Sequence, residues 1–420
     1  MSFLSGAAAY GRLLRLPAAR RAVAASSICR LSYGTLVLAK LLVVERATHS
    51  FAVAGAASAV FSVCTLSGPA KARFLGDEHR GDRVAVLSVA YLGSLAGLAL
   101  LAGTAHGPGP FLVLSATAGL SVPPVGAMMR ARWASITTGA ERQRAFALDV
   151  ALEDSLFLVG PLLSGGLIAL DGPRLAMWVT AALFAAGVTL LGRAPQAAVA
   201  PPAAQAPRAT PRAPVELWQP WRRGGIRAAL VVLLGVSAGA GVIDVAVAAR
   251  AVQNAETAAA GYVLAAAALG SVAGGLVWGH LPHRHGAAWQ LAGLGGLVAA
   301  TLAAGAAAPN LAWLAAALTL NGAALSPLLI VVYLVVDRAA GGINRTLIST
   351  WANTTFNAGA AAGAAAGGAL VAWSGPALAF NVGACLAAVA AMLAIGTRHP
   401  VGPTDASATT TQVSPVDQTD

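Results

Sequence analysis

The chain has 420 residues, of which 57% are hydrophobic and only 10% charged. A water-soluble domain needs about a quarter of its residues charged to cover its surface, so the composition excludes a soluble globular protein. A net charge of +11 would suit a nucleic-acid binder, but the Lys and Arg residues fall between apolar runs and form no basic soluble module. Nucleic acid is therefore excluded as a partner.

In chain order, the basic stretch MSFLSGAAAYGRLLRLPAARRAVAASS leads into an apolar run too long for a signal peptide, which reads as a retained first helix. Runs long enough to cross a bilayer fall at 23–47, 51–68, 84–104, 110–129, 145–168 and 174–192. A second set follows at 228–249, 257–279, 287–307, 311–336, 347–372 and 376–396. The expectation is an all-α membrane protein with twelve transmembrane helices in two pseudo-symmetric six-helix bundles. Residues 1–22 form an N-terminal segment, 23–192 the first bundle, 193–227 a Pro/Ala-rich linker, 228–396 the second bundle and 397–420 a polar, disordered tail.

Charge sets the orientation. With both termini in the cytoplasm, only Arg46, Arg174 and Arg250 of the 27 Lys and Arg residues fall outside, while Arg30 and Lys40 lie within the first span. This predicts a multi-pass protein of the cell membrane, with the lipid bilayer as its surroundings. Cys29, Cys64 and Cys385 have neither disulfide nor metal spacing and read as small buried residues. His280, His283 and His285 gather in a loop after the eighth span. The sequence has no phosphate loop, no His/Cys metal cluster and no nucleophile–base pair, so no enzyme, cofactor or metal is expected.

The two halves echo each other. GGLIALDGP at 165–173 matches GGALVAWSGP at 367–376, and basic loops follow the second and eighth spans, ARFLGDEHRGDR at 72–83 and GHLPHRHGAAW at 279–289. Paired half-bundles of this kind hold substrate between them near mid-membrane.

Here the residues resemble the major facilitator superfamily, whose loops after helices two and eight carry G-x-L-x-D-R-x-G. Gly279, Leu281, Arg284 and Gly286 match that pattern, with His283 in place of Asp; Leu75 and Asp77 match in the first half, where the spacing has shifted. The resemblance implies a cytoplasmic latch made by Asp77, Arg80, Arg83 and Arg284. Efflux members, in particular the proton-coupled drug-efflux type of actinobacterial members, carry a Gly-Pro and Gly-Gly pattern in helix five, similar to Gly160, Pro161, Gly165 and Gly166 here. Helix eleven repeats the device with Gly359, Gly363 and Gly367. Static helix packing and a gate both fit these small residues.

Charges inside a membrane face protein or a watery cavity. Asp149 and Glu153 share a face of helix five, with Asp154 turned roughly 100° away. They either pair with Arg130, Arg132 or Arg144 or carry protons. Asp244 in helix seven either pairs with Arg250 or is the second-half proton carrier. Arg30 snorkels or bonds a carboxylate; Lys40 has Glu45 as a local partner. Helix four lacks the Arg that many proton-coupled relatives carry, leaving Arg30 or Lys40 to stand in. Asn353 and Asn357 share a face of helix eleven with Trp351 and Phe356 near, and Asn321 lies in helix ten; all five are substrate-lining candidates.

The leading expectation is a monomeric secondary transporter exporting a small amphipathic or drug-like molecule against protons. An uptake permease for a sugar or amino acid is the alternative, and a membrane scaffold the third.

Overall fold

The computed structural model describes residues 17–67, 71, 80–103, 107–137, 139–193, 224–281, 286–339 and 345–396. The linker, the tail, Asp77 and Arg284 lie outside them. The first half contains α1 (Pro17–Thr48), α2 (Phe51–Thr65), α3 (Arg80–Leu101) and α4, in two segments, Pro108–Ser121 and Val125–Ile136. Then α5 and α6 are the limbs, 139–170 and 173–193, of one helical run broken by non-helical Asp171 and Gly172. The second half contains α7 (Gly224–Gln253), α8 (Ala259–His280), α9 (Ala287–Ala306), α10 (Leu311–Ala339), α11 (Arg345–Ser374) and α12 (Pro376–Gly396).

Length and composition alone mark eight stretches as able to cross a membrane. One of them contains both α5 and α6. The passes this criterion omits are the short α2, the broken α4 and the Asn/Thr-bearing α11, so the expected twelve crossings are present. Apolar side chains such as Leu170, Val89 and Trp373 are strongly exposed, as a face toward lipid requires. Cys385 belongs to that exposed face and Cys64 is half-buried; only Cys29 is a buried small residue as expected.

The sequence echo becomes a shared turn. Gly172 (φ 76°) and Gly375 (φ 84°) both adopt the left-handed backbone that glycine tolerates, and each is followed by a proline that starts the next helix. Corresponding pairings recur: α1 packs on the continuous α5–α6 run, and α7 packs on α11.

Helix α4 departs from expectation. The run at 110–129 reads as continuous, yet Pro123 and Pro124 lack backbone donors and the helix stops at Ser121. The freed carbonyls find side-chain donors instead. Lys71 Nζ donates to Gly119 O (2.8 Å) and Val122 O (3.3 Å), and the Tyr33 hydroxyl donates to Pro123 O (3.0 Å). Lys71 lies beyond the end of α2, where burial pushes its ammonium down to about 8.

Glycine sets how closely the helices approach. A Cβ at Gly160 would lie 2.5 Å from the Gly34 carbonyl carbon, fixing α5 against α1. Gly359, Gly363 and Gly367 face α7 in their own half, at Ser237, Ala238 and Val242. Among the described glycines, two close approaches cross between halves, and both have glycine on each side. Gly165 of α5 meets Gly261 of α8 (a Cβ would be 3.0 Å from its Cα), and Gly55 of α2 meets Gly368 of α11 at the same distance. All four glycines lie near the bundle end opposite the chain termini. Gly166, by contrast, has open space around its missing Cβ.

Gly160→Leu should lower stability by about 2 kcal/mol or more through overpacking against Gly34. Gly166→Ala should leave it unchanged. A thermal melt of the purified proteins in detergent checks both; equal melting temperatures would contradict the packing described.

Candidate functional site

Between the halves lies a cavity of about 270 Å³. Helix α1 contributes Tyr33 and Lys40, and α2 contributes Ser58, Phe61 and Ser62. Val122 at the break in α4 closes one side. From the second half come Gly241 and Asp244 of α7 and Ala360 and Ala364 of α11. Most of the wall is aliphatic or aromatic, with the charges and hydroxyls as its polar points.

Two opposite charges from different halves face this space. Lys40 is 3% exposed, while Asp244 is half-buried and open to the cavity. The Lys40 ammonium sits 4.0 Å from the centroid of the Phe61 ring, a cation–π contact strengthened by desolvation. Among the described residues it has neither a hydrogen-bond acceptor nor a carboxylate within 4 Å, although it lies within electrostatic reach of Asp244. The partners expected nearby in sequence are not used. Glu45 makes no ion pair with Lys40, and Arg250 donates to the Ala306 carbonyl (3.0 Å), not to Asp244.

The other intramembrane cation has its carboxylate within its own half, although its Nε has no hydrogen-bond partner. Arg30 grips Asp149 with both guanidinium nitrogens, Nη1 to Oδ1 at 2.8 Å and Nη2 to Oδ2 at 3.0 Å, both residues being buried. This bidentate fork replaces the expected pairing of Asp149 with Arg130, Arg132 or Arg144. Long range in sequence, it is short in space because Gly34 and Gly160 hold α1 and α5 together. Glu153 lies at the edge of the pair, 4.0 Å from Arg30 Nη2, with its side chain 38% exposed. The side chain of Asp154 lies outside the described residues.

An aromatic cluster carries Tyr33. The Tyr91 and Phe184 rings meet edge-on at 4.6 Å, and Tyr33 lies 6.3 Å from each. Tyr33 therefore joins the cavity wall to the break in α4 through its bond to Pro123.

The substrate-lining candidates lie elsewhere. Asn357 bonds Asn353 in its own helix (Nδ2 to Oδ1, 3.0 Å), and Asn321 bonds Thr301 of α9 (2.9 Å). Trp351 and Phe356 pack against the apolar core. None of the five belongs to the cavity wall described above, to which α11 contributes small alanines. Of the latch residues, Arg83 lies in the first turn of α3, Gly279 near the end of α8 and Gly286 caps α9; the Arg80 side chain is outside the described residues. Sequence reasoning missed Phe61, Ser58 and Ser62, whose i, i+3, i+4 spacing marks one face of α2, as well as Tyr33 and Lys71.

The comparisons with known proteins follow this geometry. No curated protein matches in sequence. Solved structures with the same chain path include the nucleoside transporter NupG (TM-score 0.70, 14% identical, covering 90% of this chain and 98% of that one). An auto-inhibited POT family peptide transporter is similar at TM-score 0.65 and 15% identity, covering 92% of this chain and 98% of that one. A bacterial homologue of the iron transporter ferroportin in its inward-facing state is similar at 0.69 and 13%, covering 91% and 98%. Such identities speak for the fold alone. The family model of the Major Facilitator Superfamily matches residues 22–249 and again 229–417. With that repeated match along nearly the whole chain, the protein belongs to the Major Facilitator Superfamily, and is a multi-pass membrane transporter rather than an enzyme.

Proposed function

We propose that the protein exports a small amphipathic molecule by alternating access, driven by protons moving the other way. The observation that carries this reading is the cavity at the interface of the halves, faced by Lys40 from one and Asp244 from the other. A rocking motion of two half-bundles changes what each charge faces, so protonation of Asp244 and the direction of the opening become linked. Glu153, half-exposed beside Arg30, is the second carboxylate that can load a proton. Asp149 is a pin: both its oxygens are held by Arg30 in a buried pair that ties α1 to α5.

The positive-inside distribution puts both termini in the cytoplasm. With that orientation, the glycine pairs Gly165–Gly261 and Gly55–Gly368 lie at the outer end, supporting a form closed to the outside. Efflux is favoured over uptake by the mostly apolar wall of the cavity and by the Gly-Pro element of α5. The transporters of similar fold are named for nucleosides, peptides and iron, so the fold by itself leaves the cargo open.

In a bacterial host lacking its own efflux pumps, expression should reduce accumulation of a lipophilic fluorescent dye, and a protonophore should restore it. Gradient-driven accumulation of a sugar or amino acid in right-side-out vesicles, without dye export, would favour the uptake permease.

The carboxylates should separate by readout. Asp149→Asn leaves the buried Arg30 with only the more distant Glu153 for its charge, so it should destabilise the purified protein by about 3 kcal/mol. Asp244→Asn should purify as a monodisperse protein and lose proton-driven export. Wild-type export by Asp244→Asn, or a wild-type melting temperature for Asp149→Asn, would reverse the roles assigned to them.

A further inference from the structure

Helix α1 and helix α7 are the opening helices of the two repeats, and Lys40 and Asp244 stand at matching places on them. They are separated by the same offset, roughly 200 residues, as the matching glycine-proline turns at Gly172 and Gly375 and the glycines Gly165 and Gly368. Each lies about 12–14 Å from the far end of its helix, near the middle of a bilayer core of about 30 Å. The repeat thus brings a cation and an anion to equivalent points on either side of one small cavity.

The charges do not satisfy each other. Lys40 is almost fully buried, without a carboxylate within 4 Å or a hydrogen-bond acceptor among the described residues, and it leans on Phe61. Desolvated charges without close partners are unfavourable, and a buried pair is stabilising only with good contact geometry. A ligand that completes both sides removes that penalty. A cation alone would leave Lys40 unanswered, an anion alone would leave Asp244, and a neutral molecule would leave both. Between them the wall is apolar, at Leu36, Val37 and Val245, and the volume suits a molecule at the small end of the ligand range.

We infer that the cavity takes a small zwitterion with an apolar body, its anionic group on Lys40 and its cationic group on Asp244, so that the two halves of the transporter read opposite ends of the same molecule. This rests on the transport reading above and names its substrate class. The hydroxyls of Ser58 and Ser62, on the face of α2 beside Phe61, supply polar contacts for the anionic end. Because the ammonium of the substrate and a proton seek the same Asp244 carboxylate, binding one disfavours the other, which is the exclusion that exchange in opposite directions requires.

The test uses the full chain in lipid nanodiscs and four probes with one aromatic body. L-Phenylalanine is the zwitterion, phenethylamine the cation, 3-phenylpropionate the anion and N-acetylphenylalaninamide the neutral form; L-leucine is a second zwitterion with an aliphatic body. Isothermal titration should show at least one zwitterion binding about tenfold or more tighter than any of the other three. Lys40→Met should shift the preference toward phenethylamine, and Asp244→Asn toward 3-phenylpropionate, an exchange of preference that mere loss of packing would not produce. The exchanged variant Lys40→Asp with Asp244→Lys keeps a charge of each sign and should keep the zwitterion preference. If the wild type shows no zwitterion preference, or if neither single substitution moves the preference as stated, the inference is overturned. Dye export measured in parallel separates the two readings: export intact without a zwitterion preference sinks this inference alone, while loss of gradient-driven export of every probe sinks the transport reading beneath it.

Discussion

A charge placed between membrane helices has no water to fall back on, so it must be answered by another side chain or by something that enters the protein. Helix α1 carries two such charges on one continuous rod. Arg30 is answered by Asp149 through two short hydrogen bonds inside the first half. Lys40, about three turns further along, has only the face of Phe61 against it and the more distant Asp244 of the other half. One cation therefore ties a half-bundle together, and the other belongs to the boundary between halves. If both were answered within their own half, the interface would have no charge whose surroundings change when the halves move.

The pinning depends in turn on glycine. Gly34 and Gly160 bring α1 and α5 to backbone contact, and only at that separation does the Arg30 fork reach Asp149 with both nitrogens. The interface between halves uses the same chemistry for a different end. At Gly165–Gly261 and Gly55–Gly368 the backbones touch with no side chain to interdigitate, so such contacts can part without unpacking a knob from its hole. Within the first half, Gly34–Gly160 stands beside the buried Arg30–Asp149 pair; between halves, the glycine approaches sit among the backbones of small and apolar residues such as Ala258, Ala364 and Phe51.

Much of this was legible in the sequence, for identifiable reasons. Most of the span count follows from apolar length, with the short α2, the broken α4 and the Asn/Thr-bearing α11 falling below that criterion, and the echo of GGLIALDGP in GGALVAWSGP is a real structural repeat because a left-handed glycine followed by proline is a local instruction needing no tertiary context. The break in α4 was as local as that, written in Pro123 and Pro124, but apolar length alone reads through it. What local reasoning misassigned were the partners of charges. Nearness in the chain offers Asp149 the partners Arg130, Arg132 and Arg144 and offers Lys40 Glu45, beside the reading of these groups as proton carriers. In a bundle, nearness is set by which helices pack, and Arg30 reaches Asp149 only once α1 lies on α5. The asparagines of α11 lie outside the wall of the cavity between the halves. Asn353 and Asn357 are one turn apart and the Asn357 amide donates to Asn353, while Asn321 finds Thr301 on the neighbouring helix. A polar residue in a membrane helix signals a partner and does not say whether that partner is substrate.

The last step concerns symmetry and its breaking. The repeat supplies equivalent positions, and identical residues there would put like charges across the cavity, a repulsion in every state. Lys40 and Asp244 make the positions complementary instead, so the field across the cavity runs from one half to the other. At an effective dielectric of about 20, moving two unit charges from about 4 Å to about 8 Å apart changes their attraction by about 2 kcal/mol. That is enough to tilt a balance between two forms of a transporter by more than tenfold, and small enough to be cancelled by one proton or one ligand group on Asp244. A neutral pair at these positions would leave the balance to packing alone. A tighter one, with Lys40 closed directly on Asp244, would lock the halves together as Arg30 and Asp149 lock α1 to α5. The separation seen here, within reach but out of contact, is the arrangement in which a third party decides.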